Sequence, residues 1–153
     1  MTTPKHPWSR YVAVGDSCTE GVGDPEPASP GGHRGWADRV AEVLSQGTED
    51  LAYANLAVRG KLIGQIIDEQ IEPALTLHPD LITISVGGND VLRPGSDPDL
   101  IAARCEEAVS RLAADGATIA LFPWVLRRIR HQSSGDHVLP KRPEAGPFSR
   151  TPA

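Results

Sequence analysis

The 153 residues hold only two cysteines, one methionine and few aromatics, and each shortage removes a class of protein. Cys18 and Cys105 lie far apart, with neither CxxC nor Cys/His ligand spacing. A disulfide framework and a zinc site are therefore not expected, and two reduced, half-buried thiols are. No other metal-ligand set and no cofactor motif is present. No apolar run approaches bilayer-spanning length, and the segment from Met1 to Arg10 lacks the apolar core and small-residue cleavage pattern of an export signal. A cytoplasmic protein without a membrane span is the expectation. Basic residues are also in deficit, 15 Lys and Arg against 20 Asp and Glu for a formal charge of −5, so nucleic acid is not an expected partner. Neither GxGxxG nor the Gly-Lys-Ser/Thr of a P-loop occurs in the glycine-bearing stretch from Gly15 to Gly23, which argues against a phosphate cradle there.

What remains is the composition of one soluble globular domain, with 39% hydrophobic and 23% charged residues in a chain long enough to bury a core. Short apolar runs alternate with segments of helical period, the pattern of an α/β fold whose parallel strands are joined by crossover helices. Strands are predicted at Tyr11 to Val14, Leu51 to Leu56, Leu81 to Val86 and Ala117 to Phe122. Trp36, Val40, Val43 and Leu44 define one side of a helix, and Leu62, Ile63, Ile66, Ile67 and Ile71 an apolar stripe on a second. Asp97 and Pro98 read as the N-cap and first residue of a third, running to Ala114 before Gly116. The Gly- and Pro-rich loop from Gly21 to Gly35 is long enough to suggest a role beside a site.

The chemistry gathers at the ends of the strands. Val12-Ala13-Val14-Gly15-Asp16-Ser17 delivers a serine hydroxyl to the end of a buried strand. Asn55 to Gly60 and Gly87 to Asp90 come after their own apolar runs. In a parallel sheet all three stretches emerge at the carboxyl edge, where open α/β sheets build their sites. Acyl transfer needs a nucleophile and donors aimed at the oxygen that turns negative. Ser17 with its backbone N–H, the Gly60 N–H and the Asn89 carboxamide meet that need. Each residue also has a plainer reading: Ser17 as a turn residue or helix cap, Gly60 as a simple turn, Asn89-Asp90 as a cap for the segment after it. Asp16 is expected to support the turn by local hydrogen bonds.

Taken together, the blocks resemble the GDSL or SGNH serine hydrolases, a family of esterases and lipases. Gly15-Asp16-Ser17 resembles its nucleophile block, Arg34-Gly35-Trp36-Ala37-Asp38 the opening of its first helix, Asn55 to Gly60 its glycine block, and Gly87-Gly88-Asn89-Asp90 its asparagine block. The likeness covers roughly Tyr11 to Phe122, with Cys18 where the family name has leucine. It implies a flavodoxin-like three-layer α/β/α fold with a parallel sheet of about four strands here. The family's fifth strand and C-terminal catalytic loop have no counterpart. It implies an ester substrate, Ser17 as nucleophile, Gly60 and Asn89 as oxyanion donors, and no cofactor or metal.

The departure from that pattern is the base. The family draws it from an Asp-x-x-His block, and none of the five histidines here has an aspartate three positions before it. Asp136-His137 has the residue types at another spacing; His131 is the other histidine of the same tail, while His33 and His78 read as surface residues. Residues 1–10 read as an N-terminal arm, 11–126 as the hydrolase-like domain, and 127–153 as a basic, Pro-rich, poorly ordered tail. The compositional break near Arg130 suggests a reading frame that ends early, and the sheet edge left uncovered suggests self-association. Three functions are open: an impaired serine ester hydrolase, an inactive relative that binds acyl ligands, and an interaction module whose basic tail meets an acidic partner.

Overall fold

The computed structural model describes residues 5–123. The tail from position 127 onward, with His131 and His137, lies outside the described residues. Four strands, β1 (Arg10–Gly15), β2 (Ala52–Asn55), β3 (Leu81–Val86) and β4 (Thr118–Pro123), form one parallel sheet in the order β2-β1-β3-β4. Each lies within a residue or so of its predicted position, because short runs of β-branched and apolar residues between turn signals leave little freedom of assignment. β3 is buried at every residue, as expected of a strand with helices over it and neighbours on both sides.

The helices are α1 (Ser17–Glu20), α2 (Trp36–Ser45), α3 (Ile63–Thr76), α4 (Gly88–Val91) and α5 (Pro98–Leu112). Side chains alternate along β1. Val12 and Val14 join Ile82, Ile84 and Val86 beneath α3 and α5, whereas Tyr11 and Ala13 face the other way, toward α2. The result is three layers, with α2 on one face and α3 and α5 on the opposite one. After β1 the chain goes to α2, and after β3 to α5, so the connections diverge between these neighbouring strands. In sheets of this kind ligands bind at such a divergence, outside the carboxyl ends of the strands.

Two details differ from the sequence reading. In α2 the buried residues are Ala37 and Ala41, with Val40 and Leu44 packed beside them, while Val43 is 54% exposed. Small side chains let the helix lie close against Tyr11 and Tyr53, and the stripe turns away from Val43. Cys18 is exposed rather than half-buried. The cap at Asp97 is as expected, its carboxylate accepting from Asp99 and Leu100 N–H. The start of the sheet is pinned by Asp80, whose carboxylate accepts from Ser9 N–H and hydroxyl and from Arg10 N–H at 2.8 to 2.9 Å. Burial pulls this carboxyl up, but those donors outweigh it and hold it below its ordinary value. Among the described residues no helix is long and apolar enough to cross a membrane.

Candidate active site

β1 ends on Gly15, where a side chain is barred. A Cβ there would lie 2.6 Å from Thr19 Oγ1 and 2.7 Å from the Ser85 carbonyl. The chain then turns directly into α1. Asp16 is the N-cap, accepting from Cys18 N–H at 3.2 Å, so Ser17 is the first helical residue and not the cap. The local role expected of Asp16 is the one it plays. Burial raises its pKa; the Cys18 amide pulls it back, and the nearby Asp90 charge adds to the rise. Ser17 itself is half-buried at the carboxyl edge. Its neighbour Cys18 is no rival: burial, then the charges of Asp16 and Asp24, push the thiol above its ordinary pKa, so it stays protonated at neutral pH.

The segment after β2 is tied to α1 by two clamps. Asn55 Nδ2 donates to the Thr19 carbonyl at 2.8 Å while its Oδ1 accepts from Ala57 N–H. Glu20 accepts from the backbone N–H of Arg59 at 2.6 Å and pairs with its guanidinium at 2.7 Å. That hydrogen-bonded pair holds the Glu20 carboxyl below its usual range. Gly60, next along the chain, is exposed with a φ of 77°, a left-handed turn that a β-carbon would strain.

The third block completes the meeting. Asn89 lies in α4, and its Nδ2 donates to the Lys61 carbonyl at 3.0 Å and reaches Asp16 Oδ2 at 3.4 Å. One carboxamide thus touches the residue beside Ser17 and the residue beside Gly60. Asp90 does act as a cap, but for a helix earlier in the chain: its Oδ2 accepts from Ile63 N–H, at the start of α3. The sequence reading missed Gln70, Glu20 and Arg59 as parts of this corner. Gln70 carried a signal, a polar residue on an otherwise apolar helix face; the ion pair carried none, its members being 39 positions apart.

The loop from Gly21 to Gly35 closes over α1 through backbone contact. A Cβ on Gly35 would lie 2.5 Å from Gly21 Cα, and Gly21 is the C-cap of α1. The Nε2 of His33, on this loop, accepts from Arg59 Nη2 at 3.2 Å. Two clefts flank the edge. One, of about 650 Å³, is lined by Glu20, His33, Asp38, Tyr53 and Asn55 among others. The other, of about 520 Å³, opens between the start of α3 and the segment after Asn89, with Leu62, Arg93, Leu100 and Arg104 on its walls. Ser17, Gly60 and Asn89 line neither cleft themselves.

The chain is a three-layer α/β fold on a parallel sheet, with the segments after β1, β2 and β3 hydrogen-bonded to one another at its carboxyl edge. The model of the GDSL-like lipase/acylhydrolase family matches residues 13–151, and the chain belongs to that family. It is 30% identical over 88 residues to the uncharacterized protein YpmR of Bacillus subtilis (strain 168), a match covering 54% of this chain and 32% of that protein. The crystal structure of TesA is similar at 25% identity with a TM-score of 0.60, over 73% of this chain and 58% of TesA. The psychrotrophic esterase EstA from Pseudoalteromonas sp. shares the fold, with a TM-score of 0.58 at 18% identity, over 74% of this chain and 58% of EstA. The chain therefore spans less than two thirds of each of these proteins.

Proposed function

We propose that the chain carries the nucleophile and oxyanion donors of a serine ester hydrolase. Ser17 Oγ attacks the ester carbonyl carbon, and its proton passes to a base. The negative oxygen of the tetrahedral intermediate is received by the backbone N–H of Ser17, the N–H of Gly60 and the Asn89 carboxamide. The intermediate expels the alcohol, which takes up the proton, and water then releases the acid from Ser17. The observation that carries this reading is the Asn89 side chain bonded at once to Lys61 and Asp16, which holds the three blocks within one small corner. Its contact to Asp16 is the longer of the two, and it is the one that the oxyanion replaces.

In these 153 residues no histidine comes three positions after an aspartate. We propose that turnover by this chain is correspondingly slow, since loss of the histidine in another serine hydrolase costs about a millionfold. The test is hydrolysis of p-nitrophenyl acetate by the chain and by Ser17→Ala, with and without added imidazole, after subtracting the reagent's own rate. Imidazole should accelerate the parent and leave Ser17→Ala at background. Equal rates for both chains at every imidazole concentration would remove the hydrolase reading and favour a module that binds acyl ligands without turning them over.

A further inference from the structure

α3 turns Ile63, Ile66, Ile67, Ile71 and Ala74 toward the sheet, and the same face carries one carboxamide, Gln70, only 3% exposed. Both of its polar atoms are spent on a single residue 55 positions earlier. Oε1 accepts from Gly15 N–H and Nε2 donates to the Gly15 carbonyl, each at 3.0 Å. The pairing of β1 with β2 ends at Ala13 and Asn55. Beyond it Val58 N–H reaches the Gly15 carbonyl at 3.3 Å, and the Gln70 side chain adds a shorter donor to that carbonyl and is the acceptor for the Gly15 N–H. An aliphatic residue would continue the stripe. A buried carboxamide needs partners on both sides, and this one finds both on the last residue of β1.

We propose that Gln70 is a positioning residue for the serine. By holding the Gly15 peptide groups it sets the direction in which the chain leaves β1, and hence where the Ser17 hydroxyl points two residues later. Asp16 and Asn55 hold the next links, through Cys18 N–H and the Thr19 carbonyl. This assignment rests on Ser17 as the nucleophile, and the experiment separates the two claims.

The full chain and its Gln70→Met and Gln70→Glu variants are treated with a fluorophosphonate ester in the presence of imidazole, which stands in for the base. The Ser17 oxygen bonds to phosphorus, fluoride leaves, and the hydroxyl proton goes through imidazole to solvent. Mass spectrometry locates the adduct, and reagent concentration separates the maximal labelling rate from the half-saturating concentration. Gln70→Met keeps the side-chain length and removes both bonds; Gln70→Glu keeps the acceptor. The maximal rate should fall by about ten- to a hundredfold in Gln70→Met with the half-saturating concentration unchanged. Gln70→Glu should lose less, and the Gly15 amide should exchange its hydrogen faster in Gln70→Met than in the parent. A folded Gln70→Met chain that labels at the parent's rate overturns the assignment. So does failure of both variants to fold, which would make Gln70 a requirement of the fold itself. A parent chain left unlabelled at Ser17 overturns the nucleophile reading, and this assignment with it, a result distinct from equal labelling of parent and variants.

Discussion

Exchanging glycine for alanine at positions 35 and 64 should move stability in opposite directions, for reasons visible in the surroundings of each. At Gly35 the φ is −78°, which alanine adopts freely, so beyond the small cost of alanine at the N-cap of α2 the penalty is steric. The added carbon meets Gly21 Cα at 2.5 Å and Gly21 N at 3.1 Å. These are backbone atoms, unable to rotate aside like a flexible side chain. Either the loop from Gly21 to Gly35 lifts off, or α1 shifts at its C-cap, where the Gly21 N–H bonds the Ser17 carbonyl at 3.1 Å. Overpacking of this kind costs about 1 to 3 kcal/mol, and a backbone clash belongs at the upper end. At roughly 3 to 5 °C per kcal/mol for a domain of this size, Gly35→Ala should lower the melting temperature by about 10 °C.

Gly64, in the first turn of α3, has nothing within 4 Å of an added Cβ. There the alanine only narrows the unfolded ensemble, and Gly64→Ala should gain about 0.5 kcal/mol, or roughly 2 °C. Thermal unfolding by circular dichroism reads both. A Gly35→Ala chain melting within a degree of the parent, or a Gly64→Ala chain falling as far as Gly35→Ala, would refute the packing argument. Because Gly21 caps the helix that begins at Ser17, Gly35→Ala should also slow the labelling of Ser17.

Two further outcomes rest on single side chains. In the proposed mechanism Asn89→Ala removes one oxyanion donor, and the imidazole-assisted rate should drop by about a hundred- to a thousandfold; a rate within threefold of the parent would exclude that role. Asp80→Asn should destabilise at neutral pH by about 1 kcal/mol, toward the low end for bonds to a charged group because the carboxylate is partly solvent-screened. The Asp80 carboxyl lies below its ordinary value in the folded chain, so its stabilisation is present above the unfolded value of 3.8 and is lost as pH falls through the folded one. Melts at pH 7, 5 and 3 should therefore show parent and variant converging at the acid end, and a constant gap would contradict this.

The amino-acid sequence by itself determined the strands, the three main helices and the order of the blocks, since apolar period, β-branched runs and caps such as Asp97 act over a few residues. It also placed Ser17, Gly60 and Asn89 at strand ends, and a parallel sheet puts those ends on one edge. Only the tertiary structure decided which groups touch there. That Asn89 spans Lys61 and Asp16, that Asp90 caps α3, that Gln70 serves Gly15 and Arg59 holds Glu20 depends on strand order and on the crossing of α3 from β2 to β3. Local periodicity carries no information about such partners. Even within α2, the choice of Ala41 over Val43 for the buried face depended on how closely the helix meets Tyr11 and Tyr53, a distance that exists only once the sheet has formed.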